Sequence, residues 1–287
     1  MIHSTGQDWL DAPEKRVMLF GMSGLGKTHV ASMLRAAGTW FHYSVDYRIG
    51  TRYMGELIAD DFKRHAMQVP LLRELLMSDS VRIRSNITFH NLAPLSTYLG
   101  KPGDPARGGL AFADYMARQN QHRAAEIAAL ADTAPFIERA RRIYGYRHFV
   151  CDTSGSICEV VDPDDPHDPL LEQLSALMLP VWIRGTEAHT AALIRRFDAA
   201  PKPMYYQPAF LDAAWRDYGR EHPGPVDPDA FVRWTYARAL AHRQPRYAAM
   251  ARRGVIVEAD EIAAIGSAGD FVRLIARAID RKTPGGA

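Results

Sequence analysis

The sequence predicts an α/β fold of three layers around a parallel five-stranded sheet. Two observations predict it. Five short apolar runs, near residues 17, 41, 149, 181 and 255, have the length of buried strands, and stretches of helical period lie between and after them. Strands that alternate with helices give a parallel sheet covered on both faces. In addition, the first run leads at once into a glycine-rich turn that opens a helix, a supersecondary unit with its own sequence signature.

Taken in order, residues 1–14 are polar and read as a loose arm. Val17-Met18-Leu19-Phe20 is the first strand. The helix after it carries Val30, Met33 and Leu34 on one face and meets Gly38 just past its end, a helix-stop signal. Trp40 through Asp46 reads as a second strand closing on an acid. Residues 55–66 and 70–77 read as helices, 81–89 as a short strand or extended segment, and 92–109, rich in Pro and Gly, as a long loop. Residues 112–130 and 134–144 are two more helices, the second with Asp132 or Thr133 as its cap. His148 to Asp152, Leu179 to Ile183 and Gly254 to Glu258 are the remaining strands. Helices fall at 187–197, 230–242 and 269–279, and 283–287 reads as a frayed tail. The expected organisation is an arm at 1–14, a core at 15–54 and 147–282 with a lid at about 195–210, and a helical insert at 55–146. The insert is not needed to complete the sheet, so the second substrate is expected there.

Composition narrows the class. With 287 residues the chain can bury a large core without disulfide staples. Its two cysteines, Cys151 and Cys158, make no disulfide framework and fit a reducing cytoplasm, Cys151 as a small buried hydrophobe. A net charge of +2 is too weak to argue for a nucleic-acid or membrane surface. The N-terminal residues lack the apolar stretch of a signal peptide, and no run of about 18 apolar residues suggests a membrane span. The eleven histidines show no metal-ligand spacing.

The glycine-rich turn is Gly21-Met22-Ser23-Gly24-Leu25-Gly26-Lys27-Thr28, which fits G-x-x-x-x-G-K-[ST]. Its glycines let backbone N–H groups turn inward around a phosphate, and the helix N-terminus adds partial positive charge. The expected ligands are ATP and Mg²⁺. Lys27 reaches the β- and γ-phosphates, Thr28 holds the metal, and His29 follows as a further cofactor contact.

Three other constellations are candidates. Asp152, at the tip of an apolar strand and followed by Thr-Ser-Gly-Ser, is placed to serve Mg²⁺, although Asp-Thr-Ser-Gly is also good turn chemistry. Asp46, closing the second strand, is placed to orient or deprotonate a hydroxyl, and Arg48 and Arg52 behind it to grip an anion; the alternative is a solvated turn. Arg195, Arg196 and Lys202 surround a proline-rich segment suited to a lid over phosphates, although basic residues favour helix C-termini in any case.

These segments, in order, resemble one family, the P-loop small-molecule kinases of the shikimate kinase and gluconate kinase group, themselves similar to nucleoside monophosphate kinases. The resemblance rests on the glycine loop, the aspartate closing the second strand, Val181 through Glu187, Lys202-Pro203-Met204-Tyr205, and Arg243-Gln244-Pro245-Arg246-Tyr247-Ala248-Ala249-Met250-Ala251, which fits R-x-P-x-Y-x-x-x-A ahead of the last strand. It covers roughly 16–54 and 147–258. It implies that Asp46 binds or activates the acceptor hydroxyl, that Lys202 is a lid cation near the γ-phosphate, that Arg196 packs against adenine, and that Arg243 contacts an anionic group of the acceptor. The departures are Ser44 where the family often has a first acid, Lys202 in place of a lid arginine, Asp152-Thr153-Ser154-Gly155-Ser156 in place of a triple-glycine turn, and a much larger insert. The chain is also similar to bacterial proteins labelled only as ATPases.

The sequence thus points to an ATP-dependent kinase with Lys27, Asp46, Asp152 and Lys202 as its chemical residues and a small, anionic, hydroxyl-bearing molecule as acceptor. A nucleotide-driven switch or ATPase acting on a macromolecule through the insert is the competing reading. A protein that only binds nucleotide is a third, disfavoured by the intact Lys27-Thr28 pair.

Overall fold

A computed structural model describes residues 3–282. Its centre is one sheet of five parallel strands: β1 (Arg16–Phe20), β2 (Trp40–Ser44), β3 (His148–Asp152), β4 (Leu179–Arg184) and β5 (Val255–Glu258), in the order β2-β3-β1-β4-β5. The last four residues of β1 and of β3 are buried, as expected of a parallel sheet shielded on both faces. The predicted α/β fold, sheet and helical insert are all present.

The chain leaves β1 toward β2, returns through β3 to the strand position between them, and only then passes β1 to form β4 and β5. The order reverses between β1 and β3. In open α/β sheets a crevice opens at such a switch point, beyond the carboxyl ends of the strands. Register places Leu19 of β1 beside Asp152, and Asp152 beside Ser44 of β2.

The chain divides into two compact units. One holds the sheet and comprises the described residues up to Val45, Leu130–Ala200 and those from Arg233 onward. The other comprises Asp46–Ala129 and Pro201–Val232, so it takes in most of the helical insert together with a later segment that the sequence assigns to the core, while residues 130–146, expected in the insert, belong to the sheet-bearing unit. This second unit packs its own centre: Phe112 stacks on Trp215 at 4.5 Å, and Trp215 and Tyr218 set their rings edge-on to buried Phe231.

Several local expectations are corrected. Instead of a loose arm, Gly6–Asp11 form a helix. Thr5 and Asp8 close its first turn as a reciprocal capping box, Trp9 is fully buried, and its indole N–H donates to the Val272 carbonyl at 2.9 Å on the C-terminal helix Ala268–Lys282. One large aromatic among polar residues was the signal of that docking. The second strand stops at Ser44, and Asp46 lies in the helical turn Val45–Arg48. Residues 81–87 join no strand, and only a single bridge, Thr88 to Asn91, marks that region. The loop predicted at 92–109 contains the helix Ala93–Leu99, with Pro94 in its first turn where a missing N–H costs nothing. Asp132 makes no side-chain capping bond to the helix Thr133–Tyr144; the Thr133 hydroxyl turns back to Leu130 instead. The helix expected at 230–242 runs from Pro228 to Ala251, through Pro245. The chain also forms helices at Pro169–Leu177 and Pro208–Glu221, where no helix is expected from the sequence. Of the lid at about 195–210, only residues 200–207 lack regular structure. The frayed tail assigned to 283–287 lies outside the described residues. No described helix is long and apolar enough to cross a membrane.

Burial explains both thiols. It pushes Cys151 far up, with the Asp152 charge adding to it, and pushes Cys158 up to about 12. Neither thiol is therefore expected to react with a thiol-specific reagent in the folded chain at about pH 8, whereas both react after unfolding. Trp9→Ala is expected to cost roughly 3–5 kcal/mol in denaturant unfolding, the usual penalty for emptying a buried tryptophan site.

Candidate phosphate-binding site at the strand ends

The residues from Gly21 to Gly26 leave the buried end of β1, and the helix Lys27–Ala36 begins directly after them. The N-cap is Gly26, so no side chain closes the first turn, and the helix presents its positive end to the loop. Met22 and Leu25 are buried and anchor the loop, while Ser23, Gly24, Thr28 and His29 are exposed. The Lys27 side chain is buried along the loop. Its Nζ donates to the carbonyls of Gly21 at 2.8 Å and Met22 at 3.0 Å, so the ammonium lies inside the curve of the backbone.

Neighbouring elements hold this loop closely. Gly24 has φ +89°, and a Cβ there would stand 2.5 Å from Nη2 of Arg196 and 3.1 Å from Leu193, so the helix Glu187–Ala199 lies against the loop's exposed turn. Arg196 is thus brought to the glycine loop, whereas Arg195 is simply exposed on that helix. On the other side comes the turn after β3. A Cβ on Gly155 would stand 2.6 Å from Oγ of Ser23 and 3.3 Å from its backbone N, so the turn lies close against the loop and a side chain there would make the Ser23 hydroxyl turn away.

Asp152 ends β3 and is buried. Nε2 of buried His42 lies 3.7 Å from its carboxylate. The next residue, Thr153, donates its hydroxyl to the Leu19 carbonyl at 2.8 Å, which locks the exit of β3 to β1. Lys27, Thr28, Asp152 and Arg196 therefore belong to one region of the sheet-bearing unit, at the β1/β3 switch point.

Beneath the turn lies a feature whose key residue the sequence reading missed. Glu159, in the short buried helix Ile157–Val160, accepts two bonds from Arg243: Nε to Oε1 at 2.7 Å and Nη2 to Oε2 at 3.2 Å, with both side chains nearly inaccessible. Arg246 donates to the carbonyls of Cys158 at 2.6 Å and Val161 at 3.0 Å, and the Tyr247 hydroxyl donates to the Gly155 carbonyl. Burial disfavours the charge on Arg243, but the Glu159 carboxylate, with Tyr247 and Cys158 adding to it, holds the guanidinium well above its ordinary pKa. Burial likewise pushes the Tyr247 hydroxyl far up, so it remains a donor. Arg243, which the resemblance assigns to the acceptor, here fixes the turn that abuts the loop. The signal for Glu159 was present: a carboxylate inside Ile157-Cys158-Glu159-Val160-Val161 requires a buried partner.

The remaining predicted residues lie in the second unit. Asp46 follows β2 by two positions, and its helical turn continues into a wider π-type turn, Ile49–Tyr53. Such turns concentrate at functional sites. Tyr47 stacks on Phe89 at 4.8 Å, Arg48 lies over the Tyr53 ring at 5.6 Å, and Arg52 is exposed. Lys202 is exposed elsewhere in that unit. The segment after it is tied down rather than loose: Tyr115 and Gln119 donate to the Met204 carbonyl at 2.9 and 3.1 Å, and the Tyr206 N–H donates to Gln119 at 2.9 Å. Among the described residues, no group of three or more His, Cys, Asp or Glu is arranged to hold a metal ion.

No protein-family model matches the chain, and no curated protein matches it. Among solved structures, it is similar to a shikimate kinase from Bacteroides thetaiotaomicron, with 14% identity over 93% of this chain and 96% of that one and a TM-score of 0.38. A likeness that loose transfers neither a substrate nor a residue-by-residue correspondence.

The clamp under the turn has a measurable consequence. Glu159→Ala removes the carboxylate that matches the buried Arg243 charge, and it is expected to cost roughly 3–5 kcal/mol in denaturant unfolding. Replacing both partners, Glu159→Leu with Arg243→Met, is expected to recover most of that loss.

Proposed function

We propose that the chain is an ATP-dependent phosphotransferase that moves the γ-phosphoryl group to a hydroxyl of a small anionic molecule. The observation that carries this reading is the seating of Lys27, whose ammonium is held inside a glycine loop at the N-terminus of a helix and at the sheet's switch point. Backbone amides, a helix N-terminus and one lysine form a donor set suited to a polyphosphate. The exposed Thr28 and the strand-end carboxylate of Asp152 supply oxygens of the kind Mg²⁺ takes alongside phosphate.

When bound, ATP and Mg²⁺ supply the transferable group and the charge that offsets it. In this reading residues 21–28 hold the phosphates, and Lys27 exchanges its bonds to Gly21 and Met22 for phosphate oxygens. Thr28 and Asp152 hold the metal, and His29 flanks the site. Arg196, already against Gly24, contributes a cation or a platform for the base. Asp46 takes the proton of the acceptor hydroxyl, and Arg48 and Arg52 grip the acceptor's anionic group.

One observation favours the second reading, a nucleotide-driven ATPase or switch with a macromolecular partner. The helix Pro70–Met77 buries none of its residues, and Leu71 and Met77 are 65% and 73% exposed. Apolar side chains standing out together mark interaction surfaces.

Incubation with γ-labelled ATP, Mg²⁺ and a metabolite extract tests the proposal. Label is expected in an organic product with the native chain and not with Lys27→Ala. Asp46→Asn is expected to lower the transfer rate by about 100-fold or more while leaving ATP affinity unchanged. Label released only as free phosphate, equally fast without extract, would overturn the phosphotransferase reading.

A further inference from the structure

The second unit contains a cavity of about 830 Å³ that the phosphate-binding loop does not explain. Its wall comes from chain segments far apart in sequence, around residues 90–101, 107–108, 202–203 and 228–229. That volume is in the range of small-molecule sites.

The lining has a definite chemistry. Three cations face the cavity, Lys101, Arg107 and Lys202, against one carboxylate, Asp229. Asp229 is matched to Lys101 at 2.6 Å. Arg107 meets Asp227 only at 3.4 Å, with both side chains about half exposed, which makes a weak pairing. Counting Asp227 beside Arg107, three cations meet two carboxylates, which leaves one surplus positive charge, at Lys202, and an Arg107 that is only weakly engaged. Asn91, Ser96 and Thr97 add amide and hydroxyl groups that can serve a polyol.

The frame around these groups is fixed by backbone bonds. Gly103 N–H donates to Leu110 at 2.9 Å, Leu110 to Lys101 at 2.8 Å, Gly109 to Asp104 at 3.0 Å, and Asp104 to Val226 at 2.8 Å. The loop bearing Lys101 and Arg107 is thus stitched both to itself and to the segment leading into Asp229. A site preorganised in this way loses little freedom when it binds.

We infer that this cavity binds a small hydroxylated molecule carrying a carboxylate or phosphate group, with Arg107 and Lys202 on the anion and Asn91, Ser96 and Thr97 on the hydroxyls. This gives Lys202 a partner within its own unit. The inference is independent of the phosphotransferase reading, because the cavity lies wholly in the unit without the glycine loop.

Isothermal titration of the full chain carrying Lys27→Ala tests it, with citrate and glucose 6-phosphate as probes and glucose as the neutral control. At least one anion is expected to bind with Kd of about 1 mM or tighter, and glucose is not. Arg107→Ser and Lys202→Ser are each expected to weaken binding by about tenfold or more, the usual effect of removing a charge-assisted bond. Circular dichroism confirms that these exposed substitutions leave the fold intact. Absence of binding by either anion, or an unchanged Kd in the Arg107→Ser, Lys202→Ser double variant, overturns the inference. Anion binding here, together with γ-label released only as free phosphate and equally fast without extract, would overturn the proposed function and leave this site standing.

Discussion

The buried pair of Arg243 and Glu159 is the interaction on which the site depends. Two full charges leave water, and each is matched by the other through two hydrogen bonds. The pair joins the helix Pro228–Ala251 to the short helix Ile157–Val160, and with Arg246 and Tyr247 it determines the path of the chain from Gly155 to Val161. That path brings Gly155 against Ser23, so the wall of the glycine loop is set by an ion pair beneath it rather than by the loop itself.

The same clamp accounts for Pro245 inside a helix. A proline there removes one backbone bond and strains the turn before it. Arg243, Arg246 and Tyr247 flank it on both sides and bind the segment from Gly155 to Val161, which ties the helix down around the proline. The motif around Pro245 therefore has a mechanical role, which its spacing alone does not disclose.

Each unit carries its own set of candidate groups. The sheet-bearing unit supplies a loop shaped for phosphate and a strand-end acid. The other supplies Asp46 with two arginines in a turn of unusual pitch, and a separate basic cavity. In this chain Lys202 belongs by its surroundings to that cavity, a placement that an argument from a lid motif does not reach.

Much of the molecule was legible from its residues alone. The strands, their parallel arrangement, the glycine loop and the helical insert follow from apolar runs, helical period and the need for positive φ in a tight turn, all of them local properties. The helix Ala93–Leu99 was hidden by Pro and Gly, whose meaning depends on position: Pro94 begins the helix and Gly100 ends it. The docking of Trp9, the match of Glu159 with Arg243, and the meeting of residues 101, 107 and 202 around one cavity join parts of the chain more than 80 residues apart. No local pattern encodes such pairings. Only tertiary packing decides which buried charge answers which, and which cations share a wall.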